Sequence, residues 1–350
     1  MKKILHLFPA EKFTGSFIYF VNEYSKYKHM FWVYGEDHSD EEKKYLKQEN
    51  VKYIPRMDIK LNKDMTEKQM KSYDSIILHS LFDYNIIEYL YRHRVLLKKA
   101  SLYFWGGDIP LVETWKNRFE KKYVVKNARS IITLIPKDYE SIKTIYSPKG
   151  QKFISLYPSD QIEILSKLKE REYESNGKIN ILVGNSATVT NNHRNVMNLL
   201  SRFKDDDINI YVPLSYGDND YAEEVIEYGK RIFGDKLIPI RDFMPLEEYN
   251  KFLNIMDVAI FDMVRQQALG NIFSLLYTGC KVYLHPEGKL LDYFRKKDFF
   301  VTETKRISDM SISEFREFSS DKKQHNKLLV LRISDREKLI KIWEDIFFSC

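Results

Sequence analysis

Short apolar runs alternate with amphipathic segments along most of this chain, and this alternation limits the folds open to it. Strands that alternate with helices pack as a mainly parallel sheet with helices on both faces. In the first half of the chain, strands are predicted at Lys3–Phe8, His29–Tyr34, Val51–Ile54, Ser75–His79, Ser101–Trp105 and Ser130–Leu134. In the second half, strands are predicted at Ile179–Val183, Ile208–Val212, Leu237–Ile240, Val258–Phe261 and Lys281–Leu284.

The alternation is interrupted once, between residues 140 and 178, where prolines and a charged run indicate a linker or a domain edge with a solvated helix. We therefore expect an α/β fold of the GT-B type, in which two Rossmann-like, doubly wound domains face each other across a cleft. The expected domains are residues 1–157 and residues 158–334. The amphipathic segment 335–350 is expected to form a helix that packs back on the first domain. Glycosyltransferases and some epimerases share this architecture, so the fold alone does not give the function.

Composition excludes several classes of protein. The chain has 56 Lys and Arg against 50 Asp and Glu, a mixed surface that does not indicate nucleic-acid binding. Its two cysteines, Cys280 and Cys350, give no disulfide framework, which is typical of a reducing cytosol. The N-terminus does not have the pattern of a signal peptide, and no apolar run approaches ~18 residues. We therefore expect a cytoplasmic protein whose membrane contact, if any, is peripheral.

A loop in the C-terminal half has the features of a phosphate site. It carries Arg265, Gln266 and Gln267, follows the predicted strand Val258–Phe261, and is followed by a helix that Gly270 and Asn271 are expected to open. The free N–H groups and the positive dipole end of a helix N-terminus attract anions, and arginine presents a planar fork that suits phosphate. An ordinary strand–loop–helix with a solvated arginine would show the same local pattern.

A second loop of the same kind follows the strand Ile179–Val183. Gly184 allows close backbone approach, Asn185 and Ser186 offer short polar groups, and Asn192 and His193 lead into the next helix. We expect Thr188 and Thr190 to cap that helix, and the two loops to face each other at one sheet edge. The sequence has no Walker A motif and no GxGxxG here, so a nicotinamide cofactor is disfavoured and no cofactor is expected. A plain capped turn is the alternative.

Two aromatic residues are further candidates for the donor site. Tyr216 follows the strand Ile208–Val212, and Phe243 follows the strand Leu237–Ile240. Either side chain could line a ligand site, and either could simply pack in the core.

Two carboxylates lie at predicted strand ends in the first half. Asp108 follows Trp105 and two glycines, and Glu11 lies in the first strand–helix loop. A carboxylate at this position suits a general base, with Asp108 preferred and Glu11 second. The alternative for Asp108 is a helix N-cap. His79, which ends a predicted strand, could face a ligand, but a histidine at such a position more commonly lies in the core. No metal-binding motif is visible, so metal-independent chemistry is expected, with Arg265 and helix dipoles stabilising the leaving group.

The segments WGGD at 105–108, VGNSATVTNNH at 183–193, PLSYG at 213–217 and RQQALGNIFSLLYTG at 265–279 together resemble one family. This is the TDP-N-acetylfucosamine:lipid II N-acetylfucosaminyltransferase family, glycosyltransferase family 56, which acts in enterobacterial common antigen assembly. The resemblance covers about residues 75–290. It implies a GT-B fold, a TDP-activated 4-acetamido-4,6-dideoxygalactose donor, a polyprenyl-diphosphate-linked acceptor, and peripheral association with the inner face of the bacterial membrane.

The expected function is therefore metal-independent sugar transfer from a nucleoside-diphosphate sugar to a lipid-linked saccharide in surface polysaccharide synthesis. Two alternatives stay open from sequence: a GT-B epimerase that hydrolyses a nucleotide sugar, and a non-catalytic sugar-nucleotide-binding subunit. The epimerase would need two or three carboxylates in the cleft, and the subunit would bind a nucleotide without turnover.

A basic and aromatic segment is a candidate membrane surface. In 115–126, Trp115, Phe119 and Tyr123 fall on one helical face and are flanked by cations at 116, 118, 121, 122 and 126. The same spacing would also allow the aromatic side chains to pack on the sheet, with the lysines in solvent.

Overall fold

The computed structural model describes residues 1–11, 13–35, 42–54, 67–110, 114–158, 161–167 and 177–349. It divides the chain into two compact units. The first comprises Met1–Ser159 with Asp335–Cys350, and the second comprises Asp160–Ser334. Three sequence-based assignments, the charged run at 168–176, Cys350 and a helix start near Val112, lie outside the described residues.

The first unit is built on a seven-stranded parallel sheet. Its strands are β1 (Lys3–Pro9), β2 (Lys28–Tyr34), β3 (Val51–Ile54), β4 (Ser75–His79), β5 (Ala100–Phe104), β6 (Ser130–Thr133) and β7 (Gln151–Ile154). The spatial order is β3-β2-β1-β4-β5-β6-β7, so the direction of winding reverses between β1 and β4.

Helices connect these strands. They are α1 (Thr14–Tyr24), α2 (Glu67–Lys71), α3 (Tyr84–Arg92), α4 (Trp115–Asn127) and α5 (Pro136–Tyr146). The apolar runs of the central strands are buried on both faces, as parallel sheets require. Strand β1 illustrates this, because five of its seven residues are buried.

The second unit is built on a six-stranded parallel sheet. Its strands are β8 (Ile179–Val183), β9 (Ile208–Pro213), β10 (Leu237–Ile240), β11 (Val258–Phe261), β12 (Lys281–Leu284) and β13 (Thr302–Glu303). Its helices are α6 (Gln161–Lys167), α7 (His193–Leu200), α8 (Asn219–Phe233), α9 (Leu246–Asn254), α10 (Leu269–Tyr277), α11 (Lys289–Arg295), α12 (Ile312–Arg316) and α13 (Ser320–Ile333). The spatial order is β10-β9-β8-β11-β12-β13, with the reversal between β8 and β11.

The last helix, α14 (Arg336–Ser349), follows the second unit in sequence but belongs to the first. Its apolar face is buried there through Trp343, Ile346 and Phe347. The indole Nε1 of Trp343 donates to the carbonyl of Leu156 at 3.0 Å. Because burying each of the three side chains is worth about 1.5–3 kcal/mol, their packing stabilises the unit by several kcal/mol.

Of the two interpretations of residues 140–178, a linker is wrong for the first part of the segment, which lies at the edge of the first domain. Residues up to Tyr146 complete α5, and Gln151–Ile154 form β7, which extends the first sheet. Strand β7 lies at the sheet edge and its residues are exposed or half-buried, so it lacks the apolar run that marks a buried strand. Within the described parts of the chain, no helix is long and apolar enough to span a bilayer.

Candidate functional site

The winding reversal in the second sheet creates a place for a ligand. Strands β8 and β11 are neighbours, and the connections that follow them lead to opposite sides of the reversal. Open parallel sheets bind ligands outside the carboxyl ends of their strands at such a point. The loop 184–192 follows β8 and the loop 262–268 follows β11, so both candidate phosphate loops lie at this position.

Hydrogen bonds join these two loops, which confirms the prediction that they meet. The amide Nε2 of Gln267 donates to Oδ1 of Asn185 at 2.8 Å and lies 3.3 Å from Oγ of Ser186. The hydroxyl of Thr190 donates to Oε1 of Gln267 at 2.9 Å. The amide of Gln267 therefore fixes the two loops relative to each other.

Both helices that start at the reversal lack a side-chain cap. The residues before α7 and α10 are Asn192 and Ala268, at φ 57° and 58°, and neither accepts a capping hydrogen bond. Their first backbone N–H groups are therefore not satisfied by a local side chain, as at an anion site. The prediction that Thr188 and Thr190 cap α7 is wrong, because Thr188 precedes and Thr190 lies within a short 3₁₀ turn, Val189–Asn191, and Asn192 takes the N-cap position.

Helix α10 begins at Leu269, two residues before the predicted start at Asn271. Gly270 is exposed in its first turn. The side chain of Asn271 does not join the loop network, because its Nδ2 donates to the hydroxyl of Tyr249 in α9 at 2.9 Å.

The backbone at Gly184 needs a glycine. Its φ is 69°, and a Cβ there would lie 2.8 Å from Nε2 of His193 and 2.9 Å from Oδ1 of Asn191. The other ring nitrogen of His193 pairs with the hydroxyl of Tyr221 at 3.1 Å, while Nε2 has no hydrogen-bond partner. Burial lowers the pKa of His193 to about 4, so the ring is neutral at physiological pH and packs directly against the loop.

Two polar residues from the loop after β11 extend the site. Arg265 is half-buried, and its Nη2 donates to the hydroxyl of Thr190 at 3.3 Å. Gln266 is buried, and its Oε1 has no hydrogen-bond partner in the structure. A buried polar atom without a partner costs free energy, and a bound ligand can offset that cost.

The two aromatic candidates lie differently. Tyr216 follows β9 and joins the site, because Nδ2 of Asn185 donates to its hydroxyl at 2.7 Å. Phe243 follows the edge strand β10 and is 69% exposed, so the packing alternative is wrong for it. No contact in the described structure links Phe243 to the two loops.

A residue that the sequence reasoning missed supports the first loop. Asp262, directly after β11, is buried and accepts from Nδ2 of Asn195 at 2.7 Å and from the hydroxyl of Thr304 at 2.7 Å. Nδ2 of Asn192 also lies 3.4 Å from its Oδ2. This carboxylate therefore holds the start of α7. A carboxylate directly after a buried strand was the signal that could have found it.

In the first unit, the structure places Asp108 inside the protein. Its side chain is 3% exposed, and its two oxygens accept from the backbone N–H groups of Leu81 at 2.9 Å and Trp105 at 2.8 Å. Burial raises the pKa of Asp108 to about 6, although these N–H groups and the Lys121 charge oppose the shift. The carboxylate therefore links the loop after β4 to the loop after β5. Like the helix N-cap considered as the alternative, it accepts hydrogen bonds from backbone N–H groups.

Glu11 lies where the first sheet reverses. It follows β1, the partner of β4 across the reversal, and its side chain is exposed. The adjacent backbone is fixed, since the N–H of Glu11 donates to Oγ1 of Thr14, which in turn donates to the carbonyl of Pro9 at 2.8 Å. An exposed carboxylate on a fixed backbone at a switch point can reach a bound ligand.

Comparison with known protein families identifies the family of this chain. Residues 17–326 match the family described as 4-alpha-L-fucosyltransferase, glycosyl transferase group 56. The chain belongs to this family. The family recognised from the sequence is thereby confirmed, and the protein is a glycosyltransferase.

Solved structures agree with the fold of this group 56 glycosyltransferase. HepE from Anabaena, in complex with UDP and glucose, has a TM-score of 0.71 at 11% identity, with 100% of each chain covered. A glycosyltransferase from Rickettsia africae has a TM-score of 0.69 at 12% identity, covering 99% of this chain and 97% of its own. An E. coli trehalose-6-phosphate structure bound with UDP-2-fluoro glucose has a TM-score of 0.68 at 9% identity, covering 99% of both. The GT-B assignment is confirmed.

Proposed function

We propose that this glycosyltransferase moves a deoxy-amino sugar, 4-acetamido-4,6-dideoxygalactose or a close relative, from a TDP-sugar to a polyprenyl-diphosphate-linked saccharide. The family supports sugar transfer, and the resemblance of the segments at 183–193 and 265–279 favours the TDP donor. The proposed setting is bacterial surface polysaccharide synthesis at the inner face of the cell membrane.

One observation carries the donor assignment. Two helix N-termini without side-chain caps, those of α7 and α10, start at the winding reversal of one sheet beside the Arg265 guanidinium. Backbone N–H groups and a guanidinium fork are the groups that bind a diphosphate without a metal. As the sugar leaves, these groups would stabilise the growing charge on the diphosphate.

For the acceptor we propose Glu11 as the general base and Asp108 as a positioning residue. The sequence favoured Asp108, but both of its oxygens are engaged by backbone N–H groups. Glu11 is exposed at the switch point of its own sheet. Membership of a transferase family argues against the two alternatives that the sequence left open, the hydrolysing epimerase and the non-catalytic subunit.

The donor nucleotide can be identified by thermal shift with TDP, UDP, GDP and CMP. A true donor nucleotide at ~100 times its Kd should stabilise the protein by about 2.7 kcal/mol. We expect the largest shift with TDP. Equal, negligible shifts with all four nucleotides would contradict a nucleotide-sugar donor.

Replacing Arg265 tests the diphosphate site. We expect Arg265→Ala to weaken nucleotide binding roughly tenfold or more, since a charge-assisted hydrogen bond contributes about 1.5–3 kcal/mol. Isothermal titration with the preferred nucleotide measures this loss, and circular dichroism checks the fold. Arg231→Ala is the matched control, because Arg231 is an exposed arginine in the last turn of α8. Unchanged affinity in Arg265→Ala would remove Arg265 from the site.

The proposed membrane surface is the exposed face of α4. Trp115 is 81% exposed and Phe119 is 50% exposed, and their rings stack at 6.0 Å, so the alternative of sheet packing is wrong for both. Lys116, Arg118 and Lys122 are exposed beside them. Stacked aromatic rings among cations suit the headgroup region of an anionic bilayer.

The prediction from the sequence also placed Lys121 among the surface cations, and that assignment is wrong. Its ammonium group is buried and donates to the carbonyls of Asp108 at 2.6 Å and Pro110 at 3.0 Å. Lys121 therefore holds the loop before α4, and it must be left intact in any test of membrane binding.

Vesicle co-sedimentation tests this surface. We expect the triple variant Lys116→Gln, Arg118→Gln and Lys122→Gln to bind anionic vesicles roughly a hundredfold more weakly, at ~1 kcal/mol per cation near the surface. A control variant changes three other exposed lysines of the same unit, Lys143, Lys149 and Lys152, to Gln. If both triple variants bind like the native protein, the membrane proposal fails.

A further inference from the structure

Three of the eight histidines, His6, His29 and His79, lie inside the first unit, and the glycosyl-transfer proposal uses none of them. His6 and His79 are fully buried within the apolar cluster beneath α1 and α14. The ring of His6 stacks on Phe31 at 4.4 Å, and the ring of His79 stacks on Phe8 at 3.9 Å. A polar ring in such surroundings must have hydrogen-bond partners.

The three rings partner one another. Nδ1 of His6 lies 2.9 Å from Nε2 of His79, and Nε2 of His6 lies 2.8 Å from Nδ1 of His29. At one end, Nδ1 of His79 lies 2.6 Å from the hydroxyl of Tyr157, which also accepts from the indole Nε1 of Trp105 at 3.0 Å.

At the other end, the chain of hydrogen bonds reaches α14. Nε2 of His29 lies 2.8 Å from Oγ of Ser25, and that hydroxyl donates to Oε1 of Glu344 at 3.2 Å. Glu344 is also paired with the ammonium group of Lys26 at 2.9 Å. One continuous chain therefore joins the loop after β5 to the C-terminal helix.

The chemistry of the Ser25 end fixes the direction of every hydrogen bond. An ionised carboxylate can only accept, so Ser25 uses its proton toward Glu344 and must accept from Nε2 of His29. The same direction then passes through His6 to His79, so all three histidines carry the proton on Nε2 and have an unprotonated Nδ1. The other end agrees, since the hydroxyl of Tyr157 accepts from Trp105 and has its own proton for Nδ1 of His79.

We propose that this three-histidine chain is an acid-sensitive latch that holds the C-terminal helix α14 on the first unit. Phe347 of α14 packs against His29 at 4.7 Å and against His6 at 5.9 Å between ring centroids. A proton added to any Nδ1 would face the N–H or O–H that now donates to it. That hydrogen bond is lost, and a charge is placed in the apolar layer under α14. The inference does not depend on the proposed sugar transfer.

Burial lowers the pKa values of all three histidines in the folded protein, that of His29 to about 3, and neighbouring histidine charges add to the effect at His6. When α14 opens and water reaches the rings, their pKa values return toward the ordinary value of about 6.5. The open state then binds more protons than the closed state below that pH. The docking free energy is therefore fully present above about pH 6.5 and falls as the pH drops below it.

The other charged and titratable groups around the chain do not counteract this change. Tyr103 and Tyr157 face His79, and burial raises both of their phenol pKa values, so they stay neutral in this pH range. In the turn after α1 and on α14, the charges next to the chain are those of the paired Lys26 and Glu344. The cations Lys2 and Arg129 donate to backbone carbonyls at the end of α14.

Hydrogen exchange of the full chain tests the latch. After correction for intrinsic exchange rates, we expect the opening constant of the α14 amides to rise roughly 10⁴-fold between pH 7 and pH 5, because three sites with an open-state pKa of about 6.5 each contribute about 25-fold. The slope should approach three protons per opening event, and His29→Gln should lower it toward two. His325→Gln is the control, because His325 lies on α13 of the second unit, and it should leave the slope unchanged.

The tautomers give a second test that needs no variant. In ¹⁵N spectra of the native protein at pH 7, all three histidines should show a protonated Nε2 and an unprotonated Nδ1. The latch is overturned if α14 opens equally at pH 7 and pH 5. It is also overturned if any of the three rings is charged at pH 7 or carries its proton on Nδ1.

Discussion

Glu11→Gln should reduce turnover by roughly 10²–10⁴-fold while donor-nucleotide binding stays nearly unchanged. Glutamine keeps the shape of the side chain but cannot take the acceptor proton, and this range is typical for the loss of a general base. Steady-state kinetics with a TDP-sugar and a lipid-linked acceptor measure turnover, and thermal shift with the nucleotide checks the donor site. Because Glu11 is exposed, the substitution should leave stability unchanged.

Asp108→Asn is the matched comparison, since it makes the same chemical change at the other candidate base. An asparagine has a single carbonyl oxygen, so one of the N–H groups of Leu81 and Trp105 would lose its acceptor, at a cost of about 1–3 kcal/mol. We expect a lower melting temperature with turnover of the folded enzyme within about tenfold of native. A large loss of turnover in Asp108→Asn, beside normal turnover in Glu11→Gln, would exchange the two roles.

Asp108 also gives a signed pH dependence. Because its pKa is raised to about 6 in the folded protein, the folded state binds more protons than the unfolded state between about pH 4 and 6. The contribution of Asp108 to stability is therefore greatest at low pH and falls as the pH rises through about 6. Asp108→Asn should remove this component from a pH series of urea unfolding curves.

Gly184→Ala should weaken nucleotide binding roughly a hundredfold. A left-handed backbone costs a non-glycine residue about 1–2 kcal/mol, and the new Cβ would also lie 2.8 Å from the His193 ring. Neither His193 nor the neighbouring Asn191 can move easily, since both are buried and hydrogen-bonded. The loop 184–192 should therefore shift away from the position that we propose for diphosphate binding.

Gly234→Ala is the control that distinguishes the effect of backbone strain from a distortion of the candidate donor site. Gly234 also has a positive φ, 57°, but nothing lies within 4 Å of where its Cβ would be. Gly234→Ala therefore adds backbone strain without a steric clash, and it should leave nucleotide affinity unchanged, as measured by isothermal titration. If both alanine variants bind the nucleotide as tightly as the native protein, the loop at 184–192 does not form the donor site.

The periodicity of the sequence predicted the central strands well, and the reason is local. Val258–Phe261 is buried along its whole length, and only Asn180 interrupts the apolar run of Ile179–Val183, so these runs identify the strands without any knowledge of their partners. Strand β7 was missed because an edge strand has no such requirement. The reversal in each sheet follows from the spatial order of strands, which periodicity does not contain.

In the candidate site, too, the local sequence predicted some features and the tertiary structure decided others. Glycine-bearing loops after strands marked 184–186 and 265–271 in the sequence, because the chemistry of an anion site is local. The link from Gln267 to Asn185 spans 82 residues, and the support that Asp262 gives to Asn195 spans 67. Such contacts exist only when the two strands lie side by side.

The sequence by itself determined the α/β class, the family and the two candidate phosphate loops, since each depends on residues that are close together in the chain. Only the tertiary structure decided which side chains face solvent. It buried Lys121 and engaged both oxygens of Asp108, and it left Trp115 and Phe119 exposed. The physical reason is that a side chain's burial and hydrogen-bond partners are set by elements distant in sequence, whereas periodicity records only which face of its own element it occupies.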